Sequence, residues 1–293
     1  MKKTIKTIIK RVLNILGIDI SKLMEGLSAW SIKVASTEND LDGLAVRLME
    51  IVPDISNQED SEKDTFNAYW ELKRRTLQAF QCHMMLKALE YYAACNIIVV
   101  DIGDSAGTHM LYLRELTRGK FCVDTISVDL DQRCIEKIQA RGLRAILCRA
   151  EELDLGTKVD LFTSFQMVEH LHNPAIFLRR LAVRSDCERM LITVPYRKIS
   201  RVGLHHIRLS IRGAVVAGDE HIFELSPEDW SLLFLHSGWK VKSSQIYYQY
   251  PRRWPIISAV LAWFWKKTDY EGFWGAILEK DTTYSNAYQD WED

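Results

Sequence analysis

The stretch VVDIGDSAGTH, residues 99–109, has the residue types of a loop that holds a ligand. Asp101 ends an apolar run, and Gly103 and Gly107 allow the backbone to turn tightly and to approach a ligand closely. The strict dinucleotide pattern G-x-G-x-x-G is not present, because Ser105 stands at its second glycine and no third glycine follows. The loop therefore predicts a small-ligand site and argues against a pyrophosphate.

A second acid follows at the distance expected of a nucleoside-binding sheet. Asp129 follows the strand-like run TISV in TISVDLDQ, 22 residues beyond Gly107, and its carboxylate could accept hydrogen bonds from both hydroxyls of a ribose. Strand alternation favours Asp129 over its neighbour Asp131. The alternative is that Asp129 caps a helix that begins at Gln132.

Two later segments carry groups suited to acid–base chemistry. Glu169 and His170 occur in QMVEHLHNP, where Glu169 could alternatively be a first-turn acid favoured by the helix dipole. Candidate bases in the insertion after Pro195 are His205, His206 and His221, with Asp219 or Glu220 as orienting groups. We favour His221 as the base, although a histidine here could equally be a packing residue.

Short apolar runs alternate with helix-length segments after Cys95. This order predicts a mainly parallel sheet with helices on both faces, in which NIIVVDIG and TISVDLDQ deliver Asp101 and Asp129 at their carboxyl ends. An insertion over residues 196–225 would form a lid, and Ser226-Pro227-Glu228 marks the start of the next helix.

Composition excludes several classes of protein. The chain has 38 basic and 39 acidic residues, so no global charge favours nucleic acid. Its six cysteines lack metal-ligand spacing, which predicts reduced thiols in a cytoplasmic protein and no zinc site. The longest apolar run, Pro255 to Trp265, is too short to cross a bilayer, and the N-terminus lacks a signal-peptide pattern.

Segments outside the predicted sheet suggest a surface contact. Residues 2–16 have the pattern of a basic amphipathic helix, which could lie on an anionic membrane or dock on its own domain or a twin subunit. The aromatic segment 251–268 suits a membrane interface or an ordinary core helix. We predict an N-terminal helix and acidic linker over residues 1–63, a main domain over 64–280 and a tail over 281–293.

The motifs VVDIGDSAGTH, ISVDLD, RAEELDL, VDLFTSFQMVEHLHNP and MLITVP occur in an order that resembles class I S-adenosylmethionine-dependent methyltransferases. The resemblance is to the branch with ubiquinone-type and glycan-modifying O-methyltransferases. It implies an α/β fold with a Rossmann-like seven-stranded sheet, helices on both faces, an N-terminal helical extension and a lid insertion after the fifth strand.

The same resemblance assigns roles to individual residues in binding S-adenosylmethionine. The loop after the first strand would surround the methionine part, Asp129 would bind the ribose hydroxyls and Leu130 would pack on the adenine. Ala150 offers a backbone N–H to the adenine, and Glu151 would replace the family's usual acid, because Arg149 stands at that position. The remaining residues implied are Asp101, Gly103, Asp104, Ser105 and Gly107 in the loop, and Phe165 and Gln166 beside the sulfonium.

The resemblance also implies an activity. Some ubiquinone-type relatives hold a divalent cation on an E-x-x-E-H run, but Gln166 replaces the first acid here, and we predict no bound metal. We expect methyl transfer to a hydroxyl of a glycan or lipid-linked sugar, at the inner face of the membrane, with catalysis by His221, His170 and Glu169. Arg201, Arg208 and Arg212 would favour an anionic acceptor. The alternatives are a small lipophilic acceptor such as a quinone precursor, and a scaffold that binds the cofactor without turnover.

Overall fold

The computed structural model describes residues 19–56, 66–93, 96–156, 158–215, 218, 220–268 and 270–288. The predicted basic helix over residues 2–16, most of the acidic linker, the last residues of the tail and Asp219 lie outside these ranges.

A seven-stranded sheet forms the centre of the molecule. Its strands are β1 (Asn96–Ile102), β2 (Cys122–Asp129), β3 (Arg144–Leu147), β4 (Leu161–Phe165), β5 (Arg189–Pro195), β8 (Trp239–Tyr248) and β9 (Gly272–Lys280). Their order across the sheet is β3-β2-β1-β4-β5-β9-β8. Strands β1 to β5 pair in parallel, whereas β9 runs antiparallel to both β5 and β8. This arrangement confirms the predicted Rossmann-like sheet.

The parallel register brings the carboxyl ends of three strands to one edge. Ile102 of β1 lies opposite Val128 of β2, and Asp101 lies opposite Thr163 of β4. The direction of strand order reverses between β1 and β4, and open α/β sheets bind ligands in the crevice at such a reversal. The buried runs that form these strands therefore place their terminal polar residues at one crevice.

Helices cover both faces of the sheet. They are α1 (Ile20–Glu38), α2 (Asp42–Ile51), α3 (Ala68–Leu89), α4 (Thr108–Leu116), α5 (Gln132–Ala140), α6 (Pro174–Arg184), α8 (Pro227–His236) and α9 (Pro255–Thr268). Single 3-10 turns span Ala150–Glu152, Val168–His170 and Ser285–Ala287. Ser226 caps α8 as expected, because its side chain accepts a hydrogen bond from the backbone of Asp229.

The chain before residue 64 contributes to the main core instead of forming only an arm. Leu41, Leu48 and Ile55 are buried in the same cluster as α3 and the inner strands. Arg75 of α3 ties the two parts together, since its guanidinium donates to the carbonyl of Pro53 at 2.7 Å and to the hydroxyl of Tyr112 at 2.8 Å. Helices α1 and α2 therefore belong to the packed domain.

Helix α9, within the aromatic segment 251–268, has two different faces. Trp265 is buried, and its indole N–H donates to Ser31 Oγ of α1 at 3.0 Å. Ile256, Val260 and Trp263 are exposed on the same helix. One face is thus core and the other is not covered by the described residues. None of the described helices is both long and apolar enough to span a bilayer.

The insertion after β5 forms a small substructure, for which we keep the name lid. It contains the hairpin strands β6 (Arg201–Val202) and β7 (Phe223–Glu224) and the short helix α7 (His205–Arg208). Its hairpin continues in backbone bonds from Gly203 N–H to Ile222 and from Leu204 N–H to His221. The lid attaches to the 3-10 turn at Val168–His170, because Ile222 N–H donates to the carbonyl of Glu169 at 2.8 Å.

Candidate active site

The loop after β1 has the backbone conformation that its glycines predict. Gly103 has a φ of +86°, and a Cβ there would meet Met167 Cγ at 2.7 Å. Gly107 has a φ of +73° immediately before α4, and a Cβ there would meet Leu143 Cδ1 at 2.6 Å. Side chains are disfavoured at both positions by conformation and by space. Ser105, where a dinucleotide motif has glycine, also lies at positive φ.

Asp129 is held in place by backbone donors. One carboxylate oxygen accepts from Ser105 N–H at 3.0 Å and the other from Asp131 N–H at 2.9 Å. Burial raises the pKa of Asp129 above its ordinary value, although these hydrogen bonds act in the opposite direction. Asp131, not Asp129, caps the following helix, because its side chain accepts from Arg133 N–H. Asp129 is therefore not used as the cap.

A cavity of about 440 Å³ lies at the carboxyl ends of β1, β2 and β4. Seven of the predicted residues line it: Gly103, Asp129, Leu130, Ala150, Glu151, Gln166 and His170. Asp101, Asp104, Ser105, Gly107, Phe165, Glu169 and His221 are not among its lining residues. The cavity also involves Met167 and Cys148, which the sequence did not single out.

Asp101 and Asp104 form a buried acidic pair behind the loop. Asp101 accepts from Thr163 Oγ1 at 2.7 Å, and Asp104 accepts from Ser127 Oγ at 2.5 Å. The other oxygen of each carboxyl group is buried without a hydrogen-bond partner among the described residues. Burial raises the pKa of Asp101 to about 7 and also raises the pKa of Asp104.

The far end of the cavity suits a flat apolar ring. Leu130 is 66% exposed at the tip of β2, and Ala150 and Glu151 form the turn after β3. Arg180 of α6 supports this turn by donating to the carbonyl of Glu151 at 2.6 Å. Arg149 stands where the family usually has an acid. Its Nε lies 3.9 Å from the carboxylate of Glu151, the acid that we expect to replace the usual one.

The end of β4 carries Phe165 and is followed by Gln166. Gln166 has a φ of +53°, and its side-chain amide donates to Thr193 Oγ1 at 3.1 Å. Phe165 is buried against the ring of His109, with the ring centroids 4.5 Å apart. Burial lowers the pKa of His109 to about 4, so this histidine is neutral and apolar in character at neutral pH.

His221 belongs to a polar network that sequence reasoning did not find. The hydroxyl of Tyr270 lies 2.7 Å from His221 Nδ1 and donates to Glu224 Oε1 at 2.7 Å. Burial acts to raise the pKa of Glu224, but hydrogen bonds from Arg201 and Tyr270 outweigh it and hold that pKa below its ordinary value. Arg197 adds a second cation, 3.8 Å from the carboxylate. Glu224 is therefore a charged anchor.

His170 connects this network to the cavity. Its ring meets that of His221 edge-on, with centroids 4.5 Å apart, and its Nδ1 lies 3.1 Å from the carbonyl oxygen of Glu220. Glu220, one of the two predicted orienting groups, contacts the candidate His206 and not the favoured His221: its carboxylate accepts from the backbone N–H of His206 and lies 3.0 Å from Nδ1 of that residue. Its alternative, Asp219, lies outside the described residues.

Glu169 is fully buried beneath the two histidines. Both carboxylate oxygens are without a hydrogen-bond partner among the described residues, and burial raises the pKa of Glu169 to about 8. The potential metal-ligand atoms of Glu169, His170 and His221 lie within 4.8 Å of one another, as do those of Asp101, Asp104 and His109. Either group has the dimensions of a cation site, so the prediction of no bound metal stays a prediction.

The lid arginines do not form the expected binding site for an anionic acceptor. Arg201 is paired with Glu224, and Arg208 donates to the carbonyl of Gly203 at 2.6 Å and to that of Val202. Arg212 remains as an exposed cation. Two of the three charges thus stabilise the lid itself.

The cavity fits S-adenosylmethionine by the chemistry of its residues. Asp129 faces the cavity with a fixed carboxylate for two hydroxyls, and Leu130 offers an apolar surface for the adenine. Gly103 provides close backbone approach. The polar atoms and the space of the cavity therefore agree with that cofactor.

Comparisons with known proteins agree with this assignment. Residues 69–244, more than half of the chain, match the family model described as a methyltransferase domain. Two solved structures with bound S-adenosylhomocysteine share the fold. Magnesium protoporphyrin IX methyltransferase from Synechocystis is 11% identical, with a TM-score of 0.51 and coverage of 82% of this chain and 100% of that one. An O-methyltransferase of a Brevibacillus brevis trans-AT PKS multienzyme is 12% identical, with a TM-score of 0.51 and coverage of 73% and 76%.

A further similar structure is a complex between the Haloferax volcanii Trm112 methyltransferase activator and its partner chain, at 14% identity, a TM-score of 0.50 and coverage of 72% and 94%. A search among curated proteins gives no match. The family model, the seven-stranded sheet and the cofactor chemistry of the cavity lead to one conclusion. The chain belongs to the methyltransferase-domain family and is an S-adenosylmethionine-dependent methyltransferase.

Proposed function

We propose that the enzyme transfers the methyl group to a hydroxyl oxygen, with His221 as the general base. The observation that carries this proposal is the hydrogen-bonded series Glu224–Tyr270–His221 beside the cavity-lining His170. An alcohol is a poor nucleophile while it is protonated, so a positioned base accelerates its methylation.

The network selects the tautomer that a base requires. The Tyr270 hydroxyl donates its hydrogen bond to the charged Glu224, so its oxygen accepts from Nδ1–H of His221. The lone pair of that ring is then on Nε2, the atom that we propose takes the proton of the acceptor hydroxyl. This protonation state is assigned from the hydrogen-bond network. Glu224 also stabilises the imidazolium that forms, because its carboxylate lies 3.9 Å from the ring.

The other residues of the site position the reactants and exclude water. When bound, the cofactor supplies an electrophilic methyl carbon on a cationic sulfur, and in-line displacement depends chiefly on geometry. Asp129, Leu130 and Gly103 would hold that cofactor, while Gln166 is fixed by Thr193 at the end of β4. Met167 and Leu171 line the cavity with apolar groups that keep solvent away.

For the acceptor we infer a sugar hydroxyl of a glycan or of its lipid-linked precursor, at the inner face of the cell membrane. The polar network at His221 suits a hydroxyl acceptor, and the exposed apolar residues of α9 and the cationic residues 2–16 favour a membrane-proximal enzyme. A small lipophilic acceptor such as a quinone precursor is the second candidate, favoured by the exposed aliphatic side chains of the lid.

Labelled S-adenosylmethionine distinguishes these acceptors. The enzyme is incubated with lipid-linked glycans, quinone precursors and RNA as separate fractions, and label should enter the glycan fraction. Label in the quinone fraction would select the second candidate, and label in RNA would reject both. Tight cofactor binding without turnover on any fraction would support a binding scaffold. Deleting residues 2–16 should reduce sedimentation with anionic liposomes, and equal pelleting would remove that argument.

A further inference from the structure

The lid combines positive charge with exposed aliphatic side chains. Residues 196–218 contain five arginines and lysines and no acid. The same segment exposes aliphatic side chains that are between 42% and 69% accessible. These are Ile199, Val202, Ile207, Leu209, Ile211 and Val215. Several exposed aliphatic side chains within one short segment are typical of an interaction surface.

Among the residues that the structure describes, the neighbouring carboxylates do not fully neutralise this surface. Glu224 is buried against Arg201 and Arg197, and the Glu220 side chain is only 13% exposed beside His206. Asp229, on α8, contacts Ser200 at the edge of the lid. The exposed cations Lys198, Arg208 and Arg212 therefore give the lid a local positive charge on a chain whose net charge is −1.

We propose that the lid surface of residues 198–215 docks on an anionic lipid bilayer. Its aliphatic side chains would enter the headgroup region, and its cations would contact lipid phosphates. A second copy of the chain fits less well, because a two-fold contact would set the same cations against one another. An anionic bilayer complements both the charge and the apolar residues.

The position of the lid connects docking with the reaction. Leu204 N–H donates to the carbonyl of His221 at 2.7 Å, so the docking surface and the proposed base share one hairpin. A bilayer at this surface would lie beside the acceptor side of the site. In this respect the inference deepens the proposed function and rests on it for a lipid-borne acceptor. Docking itself requires neither acceptor nor cofactor.

Vesicle binding of the full chain tests the proposal. Vesicles of equimolar phosphatidylglycerol and phosphatidylcholine should pellet the wild-type protein, whereas phosphatidylcholine vesicles should pellet little. The triple variant Ile207→Ser, Leu209→Ser, Ile211→Ser should bind at least about tenfold more weakly, because three apolar side chains lose their burial. A matched control replaces three aliphatic residues exposed elsewhere, Val46, Val183 and Leu232, with Ser and should bind like the wild type.

A charge variant keeps the test decisive if the triple variant fails to fold. Lys198→Gln with Arg212→Gln should lower binding about tenfold and weaken its dependence on salt. Cofactor affinity by calorimetry should be unchanged in every folded variant. Equal pelleting of both lid variants and the wild type would overturn the proposal. So would a wild-type dimer that the lid variants dissociate, together with no vesicle binding. Failure of methyl transfer with intact vesicle binding would count against the proposed function alone.

Discussion

The hydroxyl of Tyr270 lies 2.7 Å from Nδ1 of His221, although the two residues are 49 positions apart in the chain. Tyr270 comes between α9 and β9, whereas His221 belongs to the lid. Their rings are also stacked, with centroids 5.3 Å apart. The proposed base is therefore held by its own hairpin and by the segment that leads into β9.

Replacing His221 tests the assignment of the base. We expect His221→Gln to lower kcat by about 10²- to 10⁴-fold with little change in cofactor affinity, because general-base catalysis contributes on that scale. Tyr270→Phe should lower kcat by a smaller factor, about tenfold, since the ring keeps its place and loses the partner of Nδ1. Steady-state kinetics and calorimetry supply both readouts. His205→Gln, on the exposed part of the lid, is the control and should retain activity.

Asp129→Ala tests the ribose contact. The loss of charge-assisted hydrogen bonds should weaken cofactor binding by about 1–3 kcal/mol. Asp124→Ala is the matched control, because Asp124 lies on the same strand, pairs with Arg144 at 2.7 Å and does not line the cavity. Isothermal calorimetry measures both. An unchanged affinity in Asp129→Ala would refute the role of this residue in binding the ribose.

Glu169→Gln should stabilise the protein at neutral pH. Burial raises the folded-state pKa of Glu169 to about 8, above the value of about 4.3 for an unfolded glutamate. The folded state thus holds this proton over a range in which the unfolded state has lost it, so wild-type stability falls as pH rises from about 4.5 to about 8.

The variant has no such proton to lose, and its advantage should grow over that range to the order of a few kcal/mol. Thermal melts at pH 4 and pH 8 compare the two proteins, which should be closely similar at pH 4. A constant difference across this range would show that Glu169 does not titrate as described.

Arg180→Ala tests the support of the cofactor's adenine end. Arg180 donates to the carbonyl of Glu151, and without that bond the turn at Ala150–Glu152 is less well fixed. We expect KM for S-adenosylmethionine to rise by about three- to tenfold, because a hydrogen bond to a charged group contributes about 1.5–3 kcal/mol to the turn that it supports and only part of that loss reaches the cofactor. The value of kcat should stay nearly constant. Arg184→Ala, an exposed position on the same helix, serves as the control.

Local patterns were sufficient to predict the strands and the loop that border the cavity. The strands and the turn at Gly103 and Gly107 follow from apolar runs and glycine spacing, because both are properties of contiguous residues. The choice of Asp129 over Asp131 followed from alternation along β2, and Asp131 proves to be the helix cap. The roles of these residues toward a cofactor stay predictions.

The residues around His221, to which we assign the proposed catalytic role, are brought together by contacts between distant segments. Nothing near Tyr270 in the sequence connects it with His221, and the choice of Glu224 over Glu220 depends on how the hairpin turns. The His221-x-x-Glu224 spacing was the one signal that could have been noticed. The packing of α1 and α2 on α3 was missed for the same reason, since docking between helices has no local pattern.

The hairpin that carries His221 is bonded to the turn that carries Glu169 and His170, through Ile222 N–H and the Glu169 carbonyl. In the proposed mechanism, a motion that lifted the hairpin would also move the proposed base, because both belong to the same segment. Methyl transfer would then require the hairpin to be in place, and water that entered an open site would meet no positioned base.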